Sequence, residues 1–96
     1  MRPLVLNGAA IRALRRFRKR HSDLTNRLDR VLTLMQDDLF HPSLRTHRLQ
    51  GELGDLWSCS VTFEYRILFE LVAVQDSVDG AEEIHMITIG THDEVY

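Results

Sequence analysis

A chain of 96 residues fits one domain, and 44% hydrophobic with 27% charged residues is the balance of a globular protein rather than of a disordered or membrane-embedded one. No apolar run reaches the roughly 18–20 residues of a membrane span, and Met1–Asn7 is too short an apolar block for a signal peptide. The net charge of −2 divides unevenly: residues 1–43 carry nine bases against four acids (+5), and residues 44–96 carry three bases against ten acids (−7), an asymmetry that marks interaction surfaces.

Arg2 to Asn7, with β-branched Val5, reads as a first strand, and Asn7 can cap the segment after it. From Gly8 to Arg20, Ile11, Leu14 and Phe17 recur every third position with arginines between them, which predicts an amphipathic helix with a basic outer face. Ser22-Asp23 is a second capping signal. Leu24, Leu28, Val31, Leu32, Met35 and Leu39 then predict a second helix ending near Asp38, antiparallel to the first because the turn between them is short. Phe40-His41-Pro42 breaks the helical pattern.

After Pro42 the period changes to two. Strands are expected over 44–49, 56–63 (Trp57, Cys59, Val61 and Phe63 on one face), 65–74 and 84–89. Gly51 and Gly54 mark one turn and Asp79-Gly80 a hairpin. The lone Cys59 has no internal disulfide partner, so it reads as a small core residue of a protein in a reducing cytoplasm. Helices first and strands after argue an α+β fold, with the helix pair on one face of a mainly antiparallel sheet whose other face is open or covered by something else.

The residues able to carry chemistry are His47, Glu64, Arg66, His92 and Tyr96, with Arg45 and Arg48 as flanking bases. The histidines show no metal-binding spacing, and the chain lacks a glycine-rich phosphate loop and a G-x-S-x-G. The set suits cleavage of RNA without a metal. That reaction needs a base for the 2′-hydroxyl proton, an acid for the leaving 5′-oxygen and a cation for the charged phosphorane. Singly, each has a plainer role: His47 as a solvated sheet residue, Arg66 as a partner of Glu64, Trp57 as core, and Thr91-His92-Asp93 as a helix cap.

Four phrases in order, H-P-S-L-R-T-H-R-L-Q-G (41–51), L-W-S-C-S-V (56–61), Y-R-I-L-F-E (65–70) and I-G-T-H-D-E-V-Y (89–96), resemble the RelE/ParE toxin superfamily of type II toxin–antitoxin systems, in particular its YafQ-like branch. The likeness spans 1–96 as a single toxin domain. It implies a RelE-like α+β fold, in which the N-terminal strand and helix hairpin pack on a curved, mainly antiparallel sheet of four to five strands.

The resemblance also implies an activity: a ribosome-dependent mRNA endonuclease that inhibits translation and needs no cofactor. His47 and His92 match branch histidines that move protons. Glu64 stands where the branch has a catalytic aspartate, and Arg66 matches an arginine on the scissile phosphate. Tyr96 matches a terminal aromatic at the substrate. Arg45, Arg48 and Tyr65 would bind RNA. Ser60 and Thr88 stand where the branch has a histidine and an arginine. The implied partners are ribosome, mRNA and a cognate antitoxin. The toxin would be a monomer within a hetero-oligomeric complex, and the basic face of the first helix (Arg12, Arg15, Arg16, Lys19) would meet the antitoxin's acids. A ParE-like gyrase inhibitor and an attenuated, antitoxin-binding relative are the alternatives.

Overall fold

The computed structural model describes residues 1–50 and 55–95; the turn glycines Gly51 and Gly54 and the terminal Tyr96 lie outside them. Strand β1 (Leu4–Leu6) leads into helix α1 (Gly8–Arg20). The Asn7 side chain accepts a hydrogen bond from the Ala10 N–H at 2.8 Å, so it caps the helix as its position predicts. Arg18, Lys19 and Arg20 occupy the last turn, where the helix dipole favours cations. The buried stripe is Ala10, Ala13, Leu14 and Phe17, an i, i+3, i+4, i+7 set. Ile11, assigned inward by the three-residue spacing, is 38% exposed. A strict three-residue repeat drifts around a 3.6-residue helix, and the small alanines take the inner positions instead.

Ser22–Leu24 form a 3₁₀ turn, and α2 runs from Thr25 to Asp37. Ser22 and Asp23 do not cap α2: its N-cap position is Leu24, which makes no side-chain cap bond. The turn closes through its backbone, with the Leu24 N–H on the His21 carbonyl at 2.9 Å. Leu28, Val31 and Met35 of α2 join Ala10, Leu14 and Phe17 of α1 in one core with the sheet.

The expected strand over 44–49 shrinks to β2 (His47–Arg48). Pro42 starts a 3₁₀ turn through Leu44, and Arg45 adopts the left-handed conformation (φ 49°), so the chain cannot extend until Thr46. Strand β3 spans Trp57–Ser60 rather than 56–63. The Thr62 hydroxyl accepts from the Glu64 and Tyr65 N–H groups at 3.2 and 3.1 Å, bending Val61–Glu64 into a tight connection. Phe63 therefore leaves the core pattern and is 85% exposed.

Strands β4 (Tyr65–Ala73) and β5 (Glu82–Thr91) complete the sheet; Gly80, at φ +72°, supplies the turn conformation before β5. The order is β1-β5-β4-β3-β2, with β1 parallel to β5 and every other pair antiparallel. Leu68 pairs with Thr88 and Phe69 with Met86, so Ile87 is the extra residue of a β-bulge that bends β5. The helices cover the face bearing Cys59, Ile67, Phe69, Ile84 and Met86. Burial pushes the Cys59 thiol up to about 12, against the opposing pull of the Arg66 charge, so Cys59 behaves as the core residue expected of it.

Candidate active site

Directly paired residues of antiparallel strands share a face. One row across the sheet is His47, Ser58, Leu68 and Thr88; the next is Ser60, Arg66 and Gly90. Both rows alternate with the residues under the helices, so they line the face the helices leave open. Strand spacings place the His47 and Arg66 backbones roughly 12 Å apart, a gap that two inclined side chains and a phosphodiester can bridge.

Arg66 is the centre of this face. Its Nη1 donates to the Ser60 hydroxyl. Its Nε is buried without a hydrogen-bond partner, the one such side-chain atom among the described residues. The expected pairing with Glu64 is not formed: no carboxylate among the described residues lies within ion-pair distance of Arg66. A guanidinium grips an oxyanion through the parallel N–H bonds of its Nε and Nη2 edge. Ser60 occupies Nη1, and Nε on that edge has no hydrogen-bond partner. A buried donor without an acceptor costs free energy, which an incoming anion would recover.

His47, exposed on β2, has its Nδ1 2.9 Å from the Arg45 carbonyl. A carbonyl can only accept, so Nδ1 carries the hydrogen, and in the neutral ring Nε2 is the nitrogen with the lone pair. His92 opens α3 (His92–Val95), two residues after the Gly90 that pairs with Arg66. Its Nδ1 is 3.8 Å from the Asp93 carboxylate. The Thr91 hydroxyl accepts from the Glu94 N–H at 3.3 Å, and the Glu94 carboxylate accepts from the Thr91 N–H at 2.9 Å, a reciprocal cap that fixes where α3 begins. The cap read from Thr91-His92-Asp93 thus exists, and it carries His92 rather than competing with it. A Cβ at Gly90 would stand 3.2 Å from Glu94 Cβ and Val95 Cγ1, so glycine lets α3 close against the strand beside Arg66.

The remaining predicted residues divide. Tyr65 pairs with Thr91 on the helix side and packs edge-on against Phe17 at 5.2 Å and beside His21 at 4.6 Å. Its hydroxyl is held above the ordinary phenol value by burial first, and next by the Glu64 carboxylate, which repels a phenolate and accepts a hydrogen bond from the neutral hydroxyl. Glu64 and Tyr65 are thus engaged with each other, away from the Arg66 guanidinium. Arg48 lies in the row of Trp57 and Phe69, behind the open face, and pairs with Asp55 at 2.9 Å. Arg45 is exposed at the left-handed corner before β2. Tyr96 lies outside the described residues. The sequence reading missed Ser60 as the acceptor for Arg66, since a serine in an apolar strand carries no sign of its cross-strand partner. Among the described residues no three His, Cys, Asp or Glu side chains converge on a metal site, and no helix is long and apolar enough to cross a membrane.

No family model and no curated protein matches this sequence. Solved structures do. The YoeB/ParE toxin from Agrobacterium tumefaciens is 13% identical with a TM-score of 0.71, over 94% of this chain and 98% of the other. YafQ from E. coli strain BL21(DE3) is 17% identical with a TM-score of 0.70, over 100% and 99%. The YafQ chain of the E. coli DinJ–YafQ toxin–antitoxin complex is 20% identical with a TM-score of 0.68, over 99% and 97%. Over its whole length this chain has the fold of the YafQ and YoeB toxins: α+β, with an unclosed, mostly antiparallel five-stranded sheet.

Proposed function

We propose that this protein is the toxin of a type II toxin–antitoxin system and that it cuts mRNA on the ribosome, in the cytoplasm, by acid–base chemistry through the 2′-hydroxyl. The observation that carries the reading is the unpartnered Nε of Arg66, a side chain held by Ser60 on the same open face as His47. In this mechanism His47 Nε2 takes the 2′-hydroxyl proton. Arg66 receives the two non-bridging oxygens of the phosphorane, and a donor fixed before the reaction stabilises that charge without reorganising. His92, carried on the capped end of β5, protonates the leaving 5′-oxygen. The ribosome supplies alignment of the strand, so naked RNA is a poor substrate. The fold shared with the YafQ of the DinJ–YafQ complex supports a cognate antitoxin as partner, with the basic outer face of α1 as one contact.

The test is expression without antitoxin, with wild type, Arg66→Ala and His92→Ala compared by primer-extension mapping of a reporter mRNA. New ends inside translated codons are expected for wild type. Arg66→Ala should reduce them by roughly 10²–10³-fold, the usual cost of removing one transition-state donor. Growth arrest with intact mRNA would replace the nuclease by a binding toxin, with DNA gyrase the first target to assay.

A further inference from the structure

Strand β2 pairs with β3 at Trp57 and Ser58, and among the described residues the edge of β3 from Cys59 onward has no strand neighbour on that side. The space is closed by α2, by the 3₁₀ turn at Pro42–Leu44 and by the Val61–Glu64 connection. Arg27 reaches from α2 and donates its Nε to the Val61 carbonyl at 2.7 Å. Between these parts lies a cleft of about 230 Å³, lined by Arg27, Ser43, Arg45, Ser60, Thr62 and Phe63. A second cavity of about 200 Å³ shares Arg27, Ser43 and Ser60 with it and adds Arg30. Neither is lined by a carboxylate. That stands out, because residues 44–96 carry ten acids against three bases.

Three features of the cleft converge. Arg27 and Arg45 supply positive charge, with Arg30 continuing it. The hydroxyl-bearing residues Ser43, Ser60 and Thr62 make its walls polar. Phe63 presents an aromatic ring, 85% exposed, on a connection whose backbone the Thr62 hydroxyl pins at both Glu64 and Tyr65. An exposed aromatic on a fixed support beside cations offers a face on which a base can stack. A basic groove beside an aromatic ring is how proteins hold single-stranded nucleic acid, since every base has a face to stack. An acidic peptide would use the arginines and leave the ring idle. Ser60 is the shared wall: it lines the cleft and binds Arg66.

We propose that this cleft is a nucleotide subsite of the RNA-binding surface. It takes the nucleotide next to the phosphate gripped by Arg66, with the base stacked on Phe63 and the backbone phosphate on Arg45 and Arg27. The placement rests on the reading of Arg66 as the scissile-phosphate ligand. It also gives the acidic sheet half RNA-binding charge from α2.

The test uses the full-length protein and a short single-stranded RNA with a 2′-deoxy block at its central linkage and 2-aminopurine beside it. Binding should quench the 2-aminopurine in wild type. Phe63→Leu should abolish the quench and weaken binding by roughly tenfold, Phe63→Trp should restore both, and Arg45→Ala should lower the salt slope of binding by about one. Phe63 is exposed, so these variants keep the fold. Absence of quench in wild type, or an unchanged quench in Phe63→Leu, overturns the subsite. So does an Arg45→Ala defect confined to an acidic peptide probe, poly-glutamate, with RNA binding intact: the cleft then serves a protein partner. Quench without any mRNA cleavage in cells supports the subsite while sinking the nuclease. Cleavage in cells with Phe63→Leu silent in binding does the reverse.

Discussion

On the helix-covered side of the sheet, Cys59, Ile67, Phe69, Ile84 and Met86 are at most 1% exposed, and each touches other apolar side chains. On the open side, the same three strands place Ser60, Arg66, Thr88 and Gly90, with Ser58 and Leu68 as a buried floor. Strand alternation generates both faces from one backbone. The first face is satisfied within the chain. The second holds a cation with an orphaned donor, an arrangement stable only because the first face keeps the strands in place. If that division of labour is right, substitutions on the covered face should cost stability, and substitutions on the open face should cost activity at nearly constant stability.

The largest separation should come from Phe69→Ala. Phe69 is fully buried, and removing a core phenylalanine costs about 3–5 kcal/mol. That is a large part of the roughly 5–15 kcal/mol typical of a whole domain, and for about 100 residues it lowers Tm by roughly 12 °C or more. Arg66→Ala, one strand step from the covered face, should move Tm by far less while removing cleavage. Thermal unfolding of both variants decides: equal losses of Tm would mean that Arg66 is a structural residue and that its orphaned Nε is of no use.

The covered face was largely legible in the sequence. A helix of 3.6 residues per turn and a strand of two impose periods that apolar residues reveal, and Gly8–Arg20, Thr25–Asp37 and Tyr65–Ala73 appear where those periods place them. What failed were positions where a hydroxyl or a proline overrides the period: Thr62 ended β3 early, and Pro42 with Arg45 delayed β2. On the open face, Arg66 and His47 were visible as residue types, but the partnership of Arg66 with Ser60 depends on register, which one sequence does not encode locally. Register also decides that Tyr65 packs against Phe17 of α1 and that Arg48 pairs with Asp55, neither of which the residue types alone reveal.

A finer test of the comparison is Ser60→Ala. Ser60 is nearly buried and accepts from Arg66 Nη1. Its loss leaves the guanidinium free to swing, and a misplacement of about 1 Å at a reacting centre can cost on the order of 10²-fold in rate. Ser60→Thr keeps the oxygen on a β-branched residue suited to a strand and should restore most of the activity. The expected pattern is a fall in cleavage of roughly 10- to 100-fold for Ser60→Ala, with recovery in Ser60→Thr. Equal activity of all three proteins would show that Arg66 is aimed by something other than Ser60.

The smallest effect belongs to the end of β5, where α3 hangs on the exchange between Thr91 and Glu94. The Glu94 carboxylate lies below its ordinary value of 4.5, chiefly through the Thr91 N–H, then through the Thr91 hydroxyl; Arg20 at the end of α1 and His21 just after it add to it. A carboxylate whose folded value is depressed stabilises the fold above its unfolded value, and that contribution disappears as pH falls through the folded value. The cap should therefore be intact at neutral pH and released only below 4.5. The amide proton of Thr91, followed by NMR from neutral pH downward, should shift with a midpoint under 4.5, and the resonances of His92 should move with it. In Glu94→Gln, which keeps a weaker acceptor but cannot titrate, that transition should vanish. A midpoint at or above 4.5 would detach Glu94 from Thr91, and with it the claim that the open face, like the covered one, holds its catalytic end in place before substrate arrives.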